Sequence, residues 1–377
     1  MSGRWSDYVL AGDRADVPPP EELWQAAAKP GLKSLWLMGV GFDPRSLVGL
    51  QRVLTTLGAP QLEIGVIELP PSSSSSDPLA RSLASDNATG FASLTDRLVV
   101  RSIAYPTVQD SVNAGPTIAR NLTMPDVLDG VGSVILDISS LPSTVYFPLI
   151  AAFLTVSDLP SNNDKHFGGE FHVVACDNAA IDAIITEQGV DNATVVGGFR
   201  HHMPQGEDPS DSGPVVWLPA IGEGCGPALD AIYGLLAPAD TTPILPFPSR
   251  DPRRADRLVL AHQVELFDKY QVSASSIIYA NESNPFDLYR TLRRVSRDYR
   301  YALGPLGDTT LALSAHSSKL LSLGAVLAAY EDRLPIVAAQ ASDYAIDVSA
   351  NLDALSVDNQ LVSTWLAGEP FHDIAVD

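Results

Sequence analysis

Residues 33–50, KSLWLMGVGFDPRSLVGL, and residues 214–232, PVVWLPAIGEGCGPALDAI, run through the same succession: an apolar stretch, a glycine-bearing turn, then helical periodicity. An apolar stretch of that length, closed by glycine rather than alternating with polar residues, reads as a strand covered on both faces. That is what a parallel sheet requires. A second pair of segments repeats further on. SVILDISSLPSTVYFPLIAAFL (133–154) and TTLALSAHSSKLLSLGAVLAAY (309–330) each give a strand, a serine-rich turn and an apolar helix. The two motifs stand at a similar spacing in both halves, which predicts one plan used twice.

Around these anchors the alternation continues. Leu62–Leu69, Leu98–Ile103 and Phe171–Cys176 read as further strands of the first half, with helices over Leu47–Leu57, Thr144–Val156 and Ala179–Gln188. In the second half Val215–Leu218, Ser276–Ala280, Thr309–Ser314 and Pro335–Ala339 read as strands. Helices are expected over Pro227–Leu236, Arg253–Tyr270, Pro285–Tyr301 and Leu320–Tyr330. Short apolar runs alternating with helices are the pattern of an α/β protein. The expected fold is therefore two Rossmann-like halves with mainly parallel sheets, pseudo-duplicated. Residues 1–30, rich in proline, form an irregular arm; 31–205 make the first domain and 206–377 the second. The polar, turn-rich stretch His201–Pro214 marks the boundary, the serine run Ser72–Ser76 a loop, and the last thirty residues are weakly patterned.

The chain has 377 residues, a hydrophobic fraction of 45% and a formal net charge of -21. That charge argues against binding duplex DNA, because such affinity comes from neutralising phosphates with Lys and Arg. It serves solubility, or it offers an acidic surface on which a partner protein docks. No apolar run is long enough to cross a bilayer, and the N-terminal residues have no apolar leader core. With two isolated cysteines, Cys176 and Cys225, neither a disulfide framework nor a zinc site is expected, and a reducing cytoplasm is the expected setting.

In a doubly wound sheet, ligands bind beyond the carboxyl ends of the strands, where helix N-termini present free N–H groups. Four loops fall there. In the first, Gly39 and Gly41 permit a tight turn, Asp43 is placed to cap the helix and Arg45 to meet a phosphate or carboxylate, unless it is merely solvated. The third glycine of a dinucleotide fingerprint is missing, so no such cofactor is expected. In the second, Asp137 is followed by Ser139 and Ser140, hydroxyls that suit a phosphate or a helix cap. In the third, Gly222 and Gly224 flank Glu223, and Cys225 follows at a strand-to-helix turn. This has the outline of a nucleophile elbow, or of a tight turn filled by a small residue; His201, His202, His262 and His316 are the available bases. The fourth gathers Ser314, His316, Ser317, Ser318 and Lys319 ahead of a helix. A lysine there opposes the helix dipole unless something anionic accompanies it. No His, Cys or carboxylate spacing supplies a metal site. Arginines 290, 293, 294, 297 and 300 share one helix face, either ion-paired or facing an anion, and Arg250, Arg253, Arg254 and Arg257 form a second basic cluster. Asn281, Asn284 and Asp287 follow a strand, placed either for turns or for a base or sugar.

The strand, hydroxyl-rich turn, lysine and apolar helix with an early glycine at Ser314–Gly324 resemble the ligand-binding turn of CRISPR-associated Rossmann-fold sensors. Asp137–Ser140 would be its counterpart in the first half. The resemblance implies a sensor of cyclic oligonucleotides bound across paired halves, within an anti-phage signalling system. Two departures stand out: Ala315-His316-Ser317 replaces the family's Thr-Gly-Gly core, and no effector nuclease or protease domain follows. The sequence thus points to a binding protein for a nucleotide-like or phosphorylated ligand in a cleft between the two Rossmann-like halves, where the four loops converge, within a defence or signalling system. The alternatives are a nucleotide-processing hydrolase or glycosidase, with Asp43 or Asp137 as acid or base, and an acidic scaffold.

Overall fold

A computed structural model describes residues 3–69, 76–105, 111–159, 167–190, 192–200, 213–306, 309–339, 341–347, 349 and 351–371. The serine run over 72–75 and most of the expected boundary, 201–212, lie outside them. The chain divides into two compact units, Met1–Ile185 with Ala345–Asp377, and Thr186–Tyr344.

In the first unit the chain runs β1 (Val9–Gly12), α1 (Pro20–Ala27), β2 (Lys33–Gly39), α2 (Val48–Leu57), β3 (Leu62–Ile67), α3 (Pro78–Thr95) and β4 (Val99–Ile103). It continues through α4 (Ser111–Leu122), α5 (Pro125–Leu128), β5 (Val131–Asp137), α6 (Ser143–Ser157), β6 (Phe167–Asp177) and α7 (Ala179–Asp182). Seven strands form one sheet in the order β1-β16-β6-β5-β2-β3-β4, where β16 is Gln360–Ala367. From β6 to β4 all neighbours are parallel, while β16 lies antiparallel to both β6 and β1. Every residue of β5 is buried, as is β2 after Lys33, because helices cover both faces of the sheet.

Two expectations change here. Residues 1–30 are not wholly irregular: β1 is an edge strand of the sheet, and α1 brings Trp24 edge-on to Trp36, with ring centroids 5.6 Å apart. The weakly patterned C-terminal stretch is likewise not the end of the second domain. Its strand β16 is buried from Leu361 onward and belongs to the first sheet.

The second unit begins with β7 (Ile185–Val190), β8 (Thr194–Val195), β9 (Val215–Ala220), α8 (Gly226–Leu236), β10 (Asp240–Thr241), β11 (Ile244–Pro246) and α9 (Arg254–Ala261). It proceeds through β12 (Ile278–Ala280), α10 (Pro285–Leu303), β13 (Thr310–Ala315), α11 (Lys319–Asp332), β14 (Val337–Ala338) and β15 (Ala341–Ile346), with α12 (Leu352–Ser356) leading into β16. Its main sheet is parallel throughout. Along one side of β9 run β10 and β11, with β12 beyond; along the other side β13 pairs residue for residue, Thr310 with Val215 to Ala315 with Ala220. Ile336 then bridges Leu313 in parallel. β7 with β15 and β8 with β14 form two short ribbons.

The helix expected over Ala179–Gln188 is a single turn followed by β7. The triplet Ile184-Ile185-Thr186 is β-branched throughout, and its χ1 restriction favours extended chain. The helix expected over Arg253–Tyr270 is α9 followed by a π-helical turn, Val264–Lys269. The early glycine of α11 has a packing reason. A β-carbon on Gly324 would lie 2.3 Å from the carbonyl oxygen of Pro285, where α10 begins.

Candidate functional site

In each sheet the direction of winding reverses once, between β2 and β5 in the first unit and between β9 and β13 in the second. In doubly wound sheets such a point is where the carboxyl ends of the strands leave room for a ligand. All four loops singled out in the sequence lie beside these two reversals. Within each unit they come in pairs.

At the first reversal the polar groups are spent on one another. Asp43 does not cap α2, which begins only at Val48. Instead it accepts from the backbone N–H of Arg45 at 2.9 Å, from Nε at 3.0 Å and from Nη2 at 2.8 Å. The Arg45 guanidinium also donates through Nη1 to Asp182 at 2.8 Å and is only 3% exposed. The two carboxylates raise its pKa against the opposing effect of burial. An arginine expected at the mouth of a cleft is thus a buried ion pair. Ser139 donates its hydroxyl to Asp137 and accepts from the Cys176 N–H at 2.8 Å. Ser140 donates to the Gly39 carbonyl at 2.6 Å, tying the two loops together. Gly39 is itself crowded, since a β-carbon there would meet Leu141 at 2.6 Å, and one on Gly41 would meet Leu69 at 3.3 Å. Not every atom there is used: the Thr144 hydroxyl, in the first turn of α6, has no hydrogen-bond partner among the described residues.

At the second reversal the loops press backbone against backbone. A β-carbon on Gly222 would stand 2.0 Å from the carbonyl oxygen of His316, so only glycine fits. Gly224 has φ +68°, the left-handed region that favours glycine, and faces the Thr186 side chain of β7. Ser318 caps α11, accepting from the Leu321 N–H, and Lys319 is the first helical residue. Ser314 is not at the surface: it is 1% exposed and accepts from the Trp217 indole at 3.0 Å. The neighbouring polar atoms are different. His316 Nε2 and Ser317 Oγ are buried and have no hydrogen-bond partner among the described residues. Burial pushes the His316 imidazole down to about 4, so it is neutral at physiological pH.

Cys225 does not serve as a nucleophile in this arrangement. It is 2% exposed, its thiol donates to the Gly222 carbonyl at 3.2 Å, and burial pushes its pKa up to about 12. His262 Nε2 stands 3.7 Å from the sulfur but 2.9 Å from that same carbonyl. A nitrogen donating to the carbonyl carries the proton and cannot take one from the thiol. His201 and His202 lie outside the described residues.

In the basic clusters Arg254 is buried, while Arg250, Arg253, Arg257, Arg294, Arg297 and Arg300 are exposed. Arg293 pairs with Glu331 at 2.8 Å and Asp332 at 3.1 Å, and Arg300 donates to the Asp332 carbonyl at 2.9 Å. These two arginines thus meet the C-terminal turn of α11, where cations complement the helix dipole, while Arg290 donates to the Phe286 carbonyl and Arg297 lies beside Asp298. Arg254, 1% exposed, takes Glu223 in a two-pronged pair at 2.9 and 2.6 Å and also meets Glu282; Arg257 pairs with Asp251. Asn284 caps α10 through the Phe286 N–H, and Asp287 accepts from the Asn281 N–H at 2.8 Å, so these residues form turns.

The sequence reading missed Asp182, Glu282 and Glu187. Glu187 lies on β7, and burial raises its carboxyl pKa while the charge of Lys319 opposes the rise. It falls within Ala179–Gln188, where the sequence predicts a helix, and only the β-branched triplet before it signals a strand. Among the described residues no group of three or more His, Cys, Asp or Glu is arranged to hold a metal ion, both cysteines are free and buried, and no helix is long and apolar enough to cross a membrane.

No family model matches this chain. No curated protein matches it either. Among solved structures it is similar to a protein assigned as a universal stress protein in Pseudomonas aeruginosa UCBPP-PA14. The match has 12% identity and a TM-score of 0.22, and covers 83% of this chain and 94% of that one. A likeness of that degree carries no functional reading.

Proposed function

We propose that the chain is a binding protein for a nucleotide-like or other phosphorylated ligand, and that the ligand's anionic group is held at the second unit's reversal point. One observation carries the reading. The glycine loop that opens α8 and the hydroxyl-rich turn that opens α11 lie against each other, with Lys319 in the first turn of α11 and with His316 Nε2 and Ser317 Oγ, in the hydroxyl-rich turn itself, buried and without a hydrogen-bond partner among the described residues. A buried polar atom left unpaired costs free energy, and a ligand that pairs it recovers that cost. The corresponding groups of the first unit, Asp43, Arg45, Ser139 and Ser140, already have partners.

Within this reading the two units are one plan used twice. What supports it is that in the first sheet β2 lies between β3 and β5, in the second β9 lies between β11 and β13, and in each the singled-out loops follow the two strands on either side of the reversal. The resemblance of Ser314–Lys319 to the turn of the CRISPR-associated sensors makes a cyclic oligonucleotide the ligand to try first, and a role in anti-phage signalling the setting. The hydrolase or glycosidase alternative has less support, because its acid or base, Asp43 or Asp137, is engaged by Arg45 or by Ser139.

The test is a thermal-shift series with AMP, ADP, ATP, pyrophosphate, cyclic dinucleotides and cyclic oligoadenylates, followed by chromatography of the incubated ligand. A ligand at a hundred times its Kd stabilises by about 2.7 kcal/mol. Stabilisation by one class without turnover, lost in Lys319→Ala, is the expected result. Turnover abolished in Asp137→Ala would establish the enzyme instead.

A further inference from the structure

The helical body that begins at Arg254 carries apolar residues on two sides. α9 runs into the π-helical turn without a break: the His262 N–H donates to the Leu258 carbonyl at 3.0 Å, and the Leu266 N–H to the His262 carbonyl at 2.9 Å. Inward it buries Leu258, His262, Leu266 and Tyr270. Outward it shows a second apolar row, with Leu260 66%, Val264 48% and Phe267 37% exposed. A surface helix ordinarily gives that side to polar residues.

The outward row has an order. Arg253, Arg257, Leu260, Val264 and Phe267 follow one another at steps of four, three, four and three, the spacing of a seam that meets another helix. Its two ends differ in charge, with Arg253 and Arg257 exposed at the start and Asp268 exposed at the finish. Arg257 is paired with Asp251, whereas neither Arg253 nor Asp268 forms a salt bridge through its side chain among the described residues. Set parallel to a copy of itself, the row would oppose arginine to arginine. Set antiparallel about a two-fold axis near Ala261, it brings Leu260 and Val264 of the two copies together. Arg253 and Arg257 of each copy then lie opposite Phe267 and Asp268 of the other, a ring face and a carboxylate that both favour a guanidinium.

We propose that this row is a homodimer interface, in which α9 and its π-helical turn pair antiparallel with those of a second copy of the chain. The occupant follows from the charge order: the two halves of the row complement each other, which is what an isologous two-fold contact requires of one surface. An antiparallel copy supplies apolar residues at the middle and the opposite charge at both ends. Contacts through one helix from each copy make a small interface, so the association depends on concentration. The proposal is separate from the ligand reading and does not rest on it.

Sedimentation velocity of the full chain over a concentration series is the test. The variants are Leu260→Lys, Asp268→Arg, and Arg253→Glu combined with Arg257→Glu; circular dichroism establishes that each is folded. The wild-type chain is expected to pass from monomer to dimer as its concentration rises. Each variant alone should dimerise about tenfold or more weakly. An equimolar mixture of Asp268→Arg with the double arginine variant should recover the dimer, because opposite charges then meet at both ends. A wild-type chain that stays monomeric throughout overturns the proposal. So does a dimer that all three variants leave unchanged, or one that the mixture fails to restore. Tighter association of Asp268→Arg, which lowers the net negative charge, likewise overturns it by tracing the dimer to general repulsion.

Discussion

The carbonyl oxygen of His316 stands 2.0 Å from the position a β-carbon on Gly222 would take. This contact joins the loop after β9 to the loop after β13 with no side chain between them, and it fixes the geometry of the reversal point on which the proposed function rests. Gly222→Ala must therefore move backbone against backbone. We expect it to cost at least about 2 kcal/mol, as overpacking does, and to weaken ligand-induced stabilisation. Gly234→Ala, exposed in the last turn of α8 with nothing within 4 Å, is the control and should gain up to about 0.5–1 kcal/mol. Urea unfolding of the two variants checks both signs.

Arg45 is buried between Asp43 and Asp182, and removing it leaves carboxylates without their cation. Arg45→Met should destabilise the first unit by about 3–5 kcal/mol, the usual cost of breaking a buried pair. Adding Asp43→Asn should recover part of the loss. A ligand-binding role for Arg45 would instead give near-normal unfolding and lost affinity.

His172, in the middle of β6, is fully buried against Trp365, with ring centroids 4.8 Å apart, and neither ring nitrogen has a hydrogen-bond partner among the described residues. Burial lowers its pKa to about 3 from 6.5. Between those values the unfolded chain binds a proton that the folded chain refuses, so stability is complete above about pH 6.5 and declines as the pH falls towards 3. The slope from this residue approaches 1.4 kcal/mol per pH unit, and His316 adds a contribution of the same sign down to about 4. His172→Phe should flatten the profile. An unchanged slope would show that the imidazole is not held neutral.

Both thiols are buried and shifted upward, Cys225 to about 12 and Cys176 upward by burial and by nearby carboxylates. Neither should react with iodoacetamide at pH 8 in the folded protein, and both should react in denaturant. Labelling of native Cys225 would restore the nucleophile reading that its hydrogen bond to Gly222 argues against.

These predictions use parts of the molecule that were unequally legible in the sequence. Strands such as Lys33–Gly39 and Val131–Asp137 announced themselves because both faces are covered and the apolar run is unbroken. The glycines of the third loop were visible for the same local reason. The fate of Arg45 was not, because Asp182 lies 137 residues away and nothing in either neighbourhood signals the other. Glu187 was hidden by a wrong period, its strand being taken for the continuation of a helix. β16 escaped notice because burial on both faces leaves Gln360–Ala367 with neither clean alternation nor a long aliphatic run; Ser363 and Thr364 are fully buried within it.

That last strand also sets the order in which the protein can be made. Val9 pairs with Trp365 and Gly12 with Val362, so β1 leaves the ribosome well before β16, its sheet neighbour among the described residues. At about 5–20 residues per second, the wait lasts tens of seconds. Meanwhile the whole of Thr186–Tyr344 emerges as one uninterrupted stretch. The stretch nested within the chain can complete itself first, and the unit that begins at the N-terminus finishes last.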